Sequence, residues 1–177
     1  MLRQPIVVML GNVDAGKTQL LDTIRNTSIV ESEPGRITQS IGCTLVPIET
    51  INKISGSLLK SFKFNITIPG ILFIDSPGHA AFTNLRKRGG NLADIAILVI
   101  DVNEGVKVQT EECIDILKQY KTPFVVALNK IDLLSGWNSN AEINLLDNIK
   151  KQSEDAMLLL EKKLYEVVGK LSEFGFN

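Results

Sequence analysis

"VVMLGNVDAGKTQLLDTI", residues 7–24, runs from four apolar residues through Gly11-x4-Gly16-Lys17-Thr18 into a segment with Leu20, Leu21 and Ile24 at helical spacing. The first part has the β-branched character of a buried strand, and the last part has one apolar helix face. A strand that enters a helix through such a loop turns successive backbone N–H groups toward one point at the positive helix end, where phosphate oxygens can be held. Glycine permits that curvature. Lys17 can neutralise charge on β- and γ-phosphates, and the Thr18 hydroxyl can ligate Mg²⁺. Asn12, Val13, Asp14, Ala15, Gly16, Lys17, Thr18 and Gln19 are therefore the candidate nucleotide-binding residues. A glycine-rich turn that merely precedes a lysine is the alternative, and nothing in it calls for a strand before and a helix after.

Three more apolar runs lie downstream: "ILFID" (71–75), "IAILVID" (95–101) and "PFVVALN" (123–129), each ending abruptly in Asp or Asn. Together with "PIVVML" (5–10) they read as parallel strands buried on both faces. The helical patterns "KTQLLDTIRN" (17–26) and "VQTEECIDILKQY" (108–120) between them predict an α/β fold, a doubly wound and mostly parallel sheet, to which the Gly11–Thr18 motif adds the loop of a P-loop NTPase. Such sheets bind ligands at the carboxyl ends of their strands. Residues 27–44 have no sustained period and read as a long loop, while "TLVPIETI" (44–51) and "FKFNITI" (62–68) read as further strands, with Pro47 confined to an edge or bulge. From Asn140 to Lys170 the apolar spacing predicts one long amphipathic helix with a kink.

Two of the strand ends carry chemistry. "DSPGH" (75–79) sets Asp75 where it can hold Mg²⁺ and Gly78 where its N–H can reach a γ-phosphate. "NKID" (129–132) offers the Asp132 carboxylate to the N1–H and 2-amino group of guanine, a donor pair that adenine lacks. Asn129 can tie this loop to residues 11–18, and the aliphatic stem of Lys130 can cover the base. D-x-P-G and N-K-x-D are each common in ordinary turns. Their order, each at the end of a strand, is what makes them a set.

The chain of 177 residues is 44% hydrophobic and 22% charged with a net charge of −1, which suits one ordinary soluble domain with a proper core. Near-neutrality argues against a surface built wholly for nucleic acid, although local basic patches remain open. Cys43 and Cys113 form no C-x-x-C pair and read as two buried free thiols in a reducing compartment. The apolar run Ile6–Leu10 is too short for a membrane span or a signal segment, so the expected location is cytoplasmic.

Taken together, these motifs resemble the translational GTPases over nearly the whole chain. "GRITQSIG" (35–42) is similar to that family's first switch, "IDSPGHAAFTNLRKRGG" (74–90) to its second, and "NKIDLLSGW" (129–137) to its base-recognition loop. The segment "NKISGSLLKSFKFNITIPG" (52–70) looks like the archaeal and eukaryotic initiation-factor branch, and argues against an elongation factor. The resemblance implies GTP and GDP as ligands, Mg²⁺ held by Thr18, Thr38 and Asp75, and switch regions at about 27–44 and 75–90. It implies that His79 orients the attacking water, with Lys17 and Gly78 also catalytic. Val13 and Ile37 resemble an apolar pair flanking that histidine, or are simple packing. Asp14 resembles a residue that helps hold a monovalent cation, K⁺ or Na⁺, or else caps the helix at Lys17.

The family's loop usually has histidine where this chain has Asn12, and threonine where it has Ser76. Arg36 stands where a second glycine is common. Residues 1–177 read as a single GTP-binding domain, C-terminally truncated because no final strand, Ser-Ala loop or helix follows. The implied partner is the ribosome, through its large subunit and rRNA, with initiator tRNA bound by domains outside this chain; no membrane association and a monomer are expected. "RKR" (86–88) reads equally as a ribosome-facing patch or a solvated helix face. A nucleotide-binding module with no turnover of its own is the reading from a different class.

Overall fold

The computed structural model describes residues 2–26, 42–75 and 93–176. The strands are β1 (Ile6–Gly11), β2 (Gly42–Pro47), β3 (Gly70–Asp75), β4 (Ile95–Asp101) and β5 (Phe124–Asn129). The helices are α1 (Lys17–Asn26), α2 (Ile48–Ser61), α3 (Val108–Gln119), α4 (Leu145–Ile149) and α5 (Glu154–Glu173). The five strands form one sheet in the order β2-β3-β1-β4-β5. β1, β3, β4 and β5 run parallel, and β2 pairs antiparallel with β3. The mostly parallel, doubly wound α/β arrangement predicted from the alternating patterns is the one observed.

Alternation along the strands sends side chains to opposite faces, and both faces are covered. On one face Val8, Leu10, Ile74, Ala96, Leu98 and Ile100 pack against Cys113, Ile114 and Leu117 of α3 and Val167 of α5. On the other, Val7, Met9, Phe73 and Val99 pack with Ala15 and with Leu21 of α1. β5 departs from the expectation of burial on both faces: among the described residues it has β4 as its one strand neighbour, and Val125 stays 51% exposed. Only one of the two thiols is buried, Cys113; Cys43 is exposed on the edge strand β2. Among the described residues no helix is long and apolar enough to cross a membrane.

Three local expectations need correction. The run 44–51 is a strand only as far as Pro47, which sits at the sheet edge and, with φ −65, forms the N-cap of α2. The alternating run 62–68 is not a strand. Phe62 and Phe64 are consumed by the end of α2, their N–H groups donating to Leu58 O and Leu59 O at 3.0 and 2.9 Å while Lys63 turns left-handed at φ 55. The predicted single helix across 140–170 is two, α4 and α5, because capping side chains start each one separately. Asn144 Oδ1 accepts from the Asp147 N–H at 3.0 Å, and Ser153 Oγ from the Ala156 N–H at 3.3 Å.

The end of β1 is where the sheet and the phosphate-type loop meet. Gly11 is paired with Val99 and has φ +138, and a Cβ there would lie 2.1 Å from Val99 O. Both the backbone conformation and the space demand glycine. Gly11→Ala is expected to destabilise the fold by about 2–3 kcal/mol, as forced overpacking does. For a domain of this size that lowers the thermal midpoint by roughly 5–10 °C, and a melt with the wild-type midpoint would contradict the close approach.

Candidate functional site

The strand registers bring the chemically loaded ends to one edge of the sheet: Met9 aligns with Asp75, Gly11 with Val99, and Asp101 with Asn129. α1 begins at Lys17 directly above this edge. Between β1 and α1, Asp14 at φ 64 and Gly16 at φ 91 place two left-handed residues in the stretch 12–16, an alternation of the kind that forms an anion-binding nest of backbone N–H groups. Lys17 Nζ folds back across this nest, donating to Gly11 O at 3.0 Å and Asn12 O at 2.6 Å. Burial pushes the Lys17 ammonium below its ordinary pKa, against the opposing pull of Cys113, Asp75 and Asp14. A desolvated cation beside a nest of donors favours an anionic ligand.

Asp75 ends β3 almost fully buried, and its Oδ2 accepts from the Thr18 hydroxyl at 3.3 Å. The two residues read as Mg²⁺ ligands are thus neighbours, both offering hard oxygen, the donor type Mg²⁺ takes along with waters and phosphates. Among the described residues no group of three or more His, Cys, Asp or Glu is placed to hold a metal. A cation here would be completed by oxygens of its ligand and of water, which is how Mg²⁺ is bound at phosphates.

Asn129 ties the two loops together, as its residue type and place suggested: Nδ2 donates to Ala15 O at 2.9 Å. The fit is close, since a Cβ on Gly16 would lie 2.3 Å from that nitrogen. Asn129 O in turn accepts from the Val102 N–H at 3.0 Å, fixing the end of β5 to the end of β4. Lys130 then turns left-handed at φ 61, and Asp132 is exposed in the short 3₁₀ turn Ile131–Leu133 that follows. Ala15 is buried beneath the loop, while Val13, Asp14, Thr18 and Gln19 lie on its open side. Thr38, Gly78 and His79 fall outside the described residues, as do Ile37 and most of both predicted switch regions.

Three residues at this edge were not singled out from the sequence. Asp101 closes β4 and pairs with Lys130, Nζ to Oδ2 at 2.8 Å. Burial pushes the Asp101 carboxyl up, but the bond from Lys130 and the N–H groups of Asn103 and Glu104 outweigh it and leave the group below its ordinary value. Gln109 Oε1 accepts from the Val13 N–H at 3.0 Å, and Glu104 Oε2 from Asn12 Nδ2 at 3.3 Å, so the outer turn of the nest is held from the α3 side. Asp101 carried a readable signal: it ends "IAILVID" as Asp75 ends "ILFID". Cys113, beneath Gly11, has its thiol pushed up by burial and is placed for packing rather than reaction.

Comparison with known proteins agrees with this geometry. Residues 3–173 match the family described as "Elongation factor Tu GTP binding domain". The chain is 58% identical over 176 residues to "Probable translation initiation factor IF-2" of Thermococcus sibiricus, covering 99% of this chain and 30% of that protein. It is 55% identical over 176 residues to the protein of the same description from Methanopyrus kandleri, covering 99% and 29%. A crystal structure of GDP-bound aIF5B from Aeropyrum pernix superposes with a TM-score of 0.85 at 49% identity, over 99% of this chain and 29% of that one. The chain thus spans about 30% of the length of the curated relatives it matches. A family match over nearly the whole length, on a mostly parallel sheet with Asp75, Asp101 and Asn129 at one edge, shows that the chain belongs to the elongation factor Tu GTP binding domain family.

Proposed function

We propose that this chain is the GTP-binding and GTP-hydrolysing domain of a translation initiation factor that acts on the ribosome in the cytoplasm. The observation that carries the proposal is the tie between the two candidate ligand loops: Asn129 Nδ2 donates to Ala15 O, joining the loop read as a phosphate nest to the one read as base-selecting. In this reading the backbone of residues 12–18 and the Lys17 ammonium hold the phosphates, and Asp132 selects guanine. Thr18 and Asp75, and Thr38 from the first switch, would hold Mg²⁺, which when bound shields the charge of the β- and γ-phosphates. Asp14, exposed on the open side of the nest, is the proposed neighbour of a monovalent cation.

Hydrolysis transfers the γ-phosphoryl group to water, giving GDP and phosphate. Such a reaction asks the protein mainly for positioning and charge stabilisation. Lys17 supplies fixed positive charge, the Gly78 N–H a donor to the γ-phosphate, and His79 holds water in line. The relatives named as initiation factors, and the GDP in the neighbouring aIF5B, support guanine nucleotide as the ligand and the ribosome as the site of action. Turnover on the large subunit would couple the joining of ribosomal subunits to departure of the factor, with initiator tRNA held by other parts of the whole protein.

Calorimetric titration tests the ligand assignment. GDP and GTP are expected to bind with Mg²⁺ present, each weakening by at least about tenfold when Mg²⁺ is chelated, a change of about 1.4 kcal/mol. ATP is expected to give no saturable heat. Equal binding of ATP and GTP would overturn the proposal.

A further inference from the structure

The buried carboxylate at the end of β4 has no part in the functions described so far. Asp101 is 8% exposed at its side chain and stands level with Asn129 across the β4–β5 pair. Its Oδ1 accepts from the Asn103 N–H at 2.8 Å and the Glu104 N–H at 3.4 Å, closing a tight turn that the Gly105 N–H completes by donating to Asp101 O at 2.8 Å. Its other oxygen is free of that turn and takes the Lys130 ammonium at 2.8 Å.

Lys130 has four rotatable side-chain bonds and would ordinarily sample many rotamers at a loop tip. Here its backbone is left-handed at φ 61, and its stem passes the nest, with Cε 3.9 Å from where a Cβ on Gly16 would sit. The stem is therefore stretched between the base-selecting loop at one end and a buried charge at the other, alongside the phosphate nest. A buried carboxylate fixed by two backbone N–H groups is a rigid anchor for a cation.

Resting on the guanine-nucleotide reading above, we propose that Asp101 is a positioning residue of the nucleotide pocket: by fixing the Lys130 ammonium it stretches the lysine stem into a preformed platform for the base and slows nucleotide release. Asp101 does not touch the nucleotide itself. Its effect passes through Lys130, and the ordering of that side chain is complete before the ligand arrives. The residue therefore governs the dissociation rate rather than the association rate.

The test is stopped-flow release of a fluorescent GDP from the 177-residue chain, its Asp101→Asn, Lys130→Met and double variants, with a thermal melt of each. Asp101→Asn keeps an oxygen for the turn and loses the charge, and is expected to release GDP about tenfold faster with association unchanged. In the Lys130→Met background the same substitution is expected to change release by less than about twofold, since the coupled partner is gone. Asp101→Glu, which restores the charge, is expected to return release toward the wild-type rate. If Asp101→Asn lowers the melting temperature enough to obscure binding, Lys130→Met breaks the pair from its exposed end and is expected to speed release by at least the same factor. An unchanged rate in Asp101→Asn, or an equal acceleration in both backgrounds, would overturn the proposal. Failure of the unsubstituted chain to bind GDP would overturn the nucleotide reading and this one with it.

Discussion

Asp132→Asn is expected to weaken GTP binding by about 10²–10⁴-fold and to create binding of xanthosine triphosphate in its place. The carboxylate lies exposed in the 3₁₀ turn Ile131–Leu133, two residues after left-handed Lys130. Guanine offers it two donors, the N1–H and the 2-amino group, and a hydrogen bond to a charged partner contributes about 1.5–3 kcal/mol. Losing two such bonds costs about 3–6 kcal/mol, which is the affinity change given. The amide also places a donor against the 2-amino group, so the loss is more than an absence. Xanthine carries a carbonyl there and accepts from that donor, which is why its nucleotide should be rescued. Competition of GTP and xanthosine triphosphate against fluorescent GDP on both proteins measures this, and wild-type preference in the Asp132→Asn variant would sink the base-selecting role of Asp132.

His79→Ala should leave nucleotide affinity within a few-fold while slowing ribosome-stimulated hydrolysis by at least about 10²-fold, the scale of a lost catalytic positioning group. The separation of the two effects is the content of the prediction. In the chemistry proposed, binding comes from the loop at residues 12–18, from Lys17 and from Asp132, and His79 contributes nothing to it. Rate comes from holding one water in line with the γ-phosphate, which matters only in the transition state. Single-turnover rates alongside equilibrium titrations would show the split. An undiminished stimulated rate would reassign His79, and a parallel loss of affinity would make it a structural residue of the second switch.

What the sequence disclosed depended on whether a feature is set by neighbours along the chain or by neighbours across the sheet. β1, α1, β3, β4 and α3 could be read to within a residue or so, because buried parallel strands are continuous apolar runs and their helices carry one apolar stripe. The passage from β1 through a tight loop into α1 was legible because glycine spacing is a local backbone requirement. The Asn129 tie was legible because it follows from the two motifs sharing a sheet edge. "FKFNITI" misled because alternation in seven residues does not separate a strand from a helix terminus that turns through Lys63 into solvent-exposed phenylalanines. The division of 140–170 was in fact written in Asn144-x-x-Asp147 and Ser153-x-x-Ala156, but apolar periodicity outweighed the capping signal.

Gln109 and Glu104 were not legible at all, since their bonds to Val13 and Asn12 exist only because α3 packs beside β1. Asp101 lay between these cases. Its position as the last residue of a buried strand was visible, but its partner Lys130 is 29 positions away and had already been given a role at the base. The same lysine can serve both ends, and recognising that needed the β4–β5 register.

In the function proposed, the loop at residues 11–18 and the loop at 129–132, tied by Asn129, act together to turn GTP over on the ribosome. Single-turnover release of phosphate from GTP and from ATP, with and without ribosomal subunits, tests it most directly. The expected result is slow release from GTP by the chain alone, acceleration by at least about tenfold when the large subunit is added, and none from ATP under either condition. Phosphate release from ATP matching that from GTP, or a GTP rate indifferent to ribosomes, would contradict it.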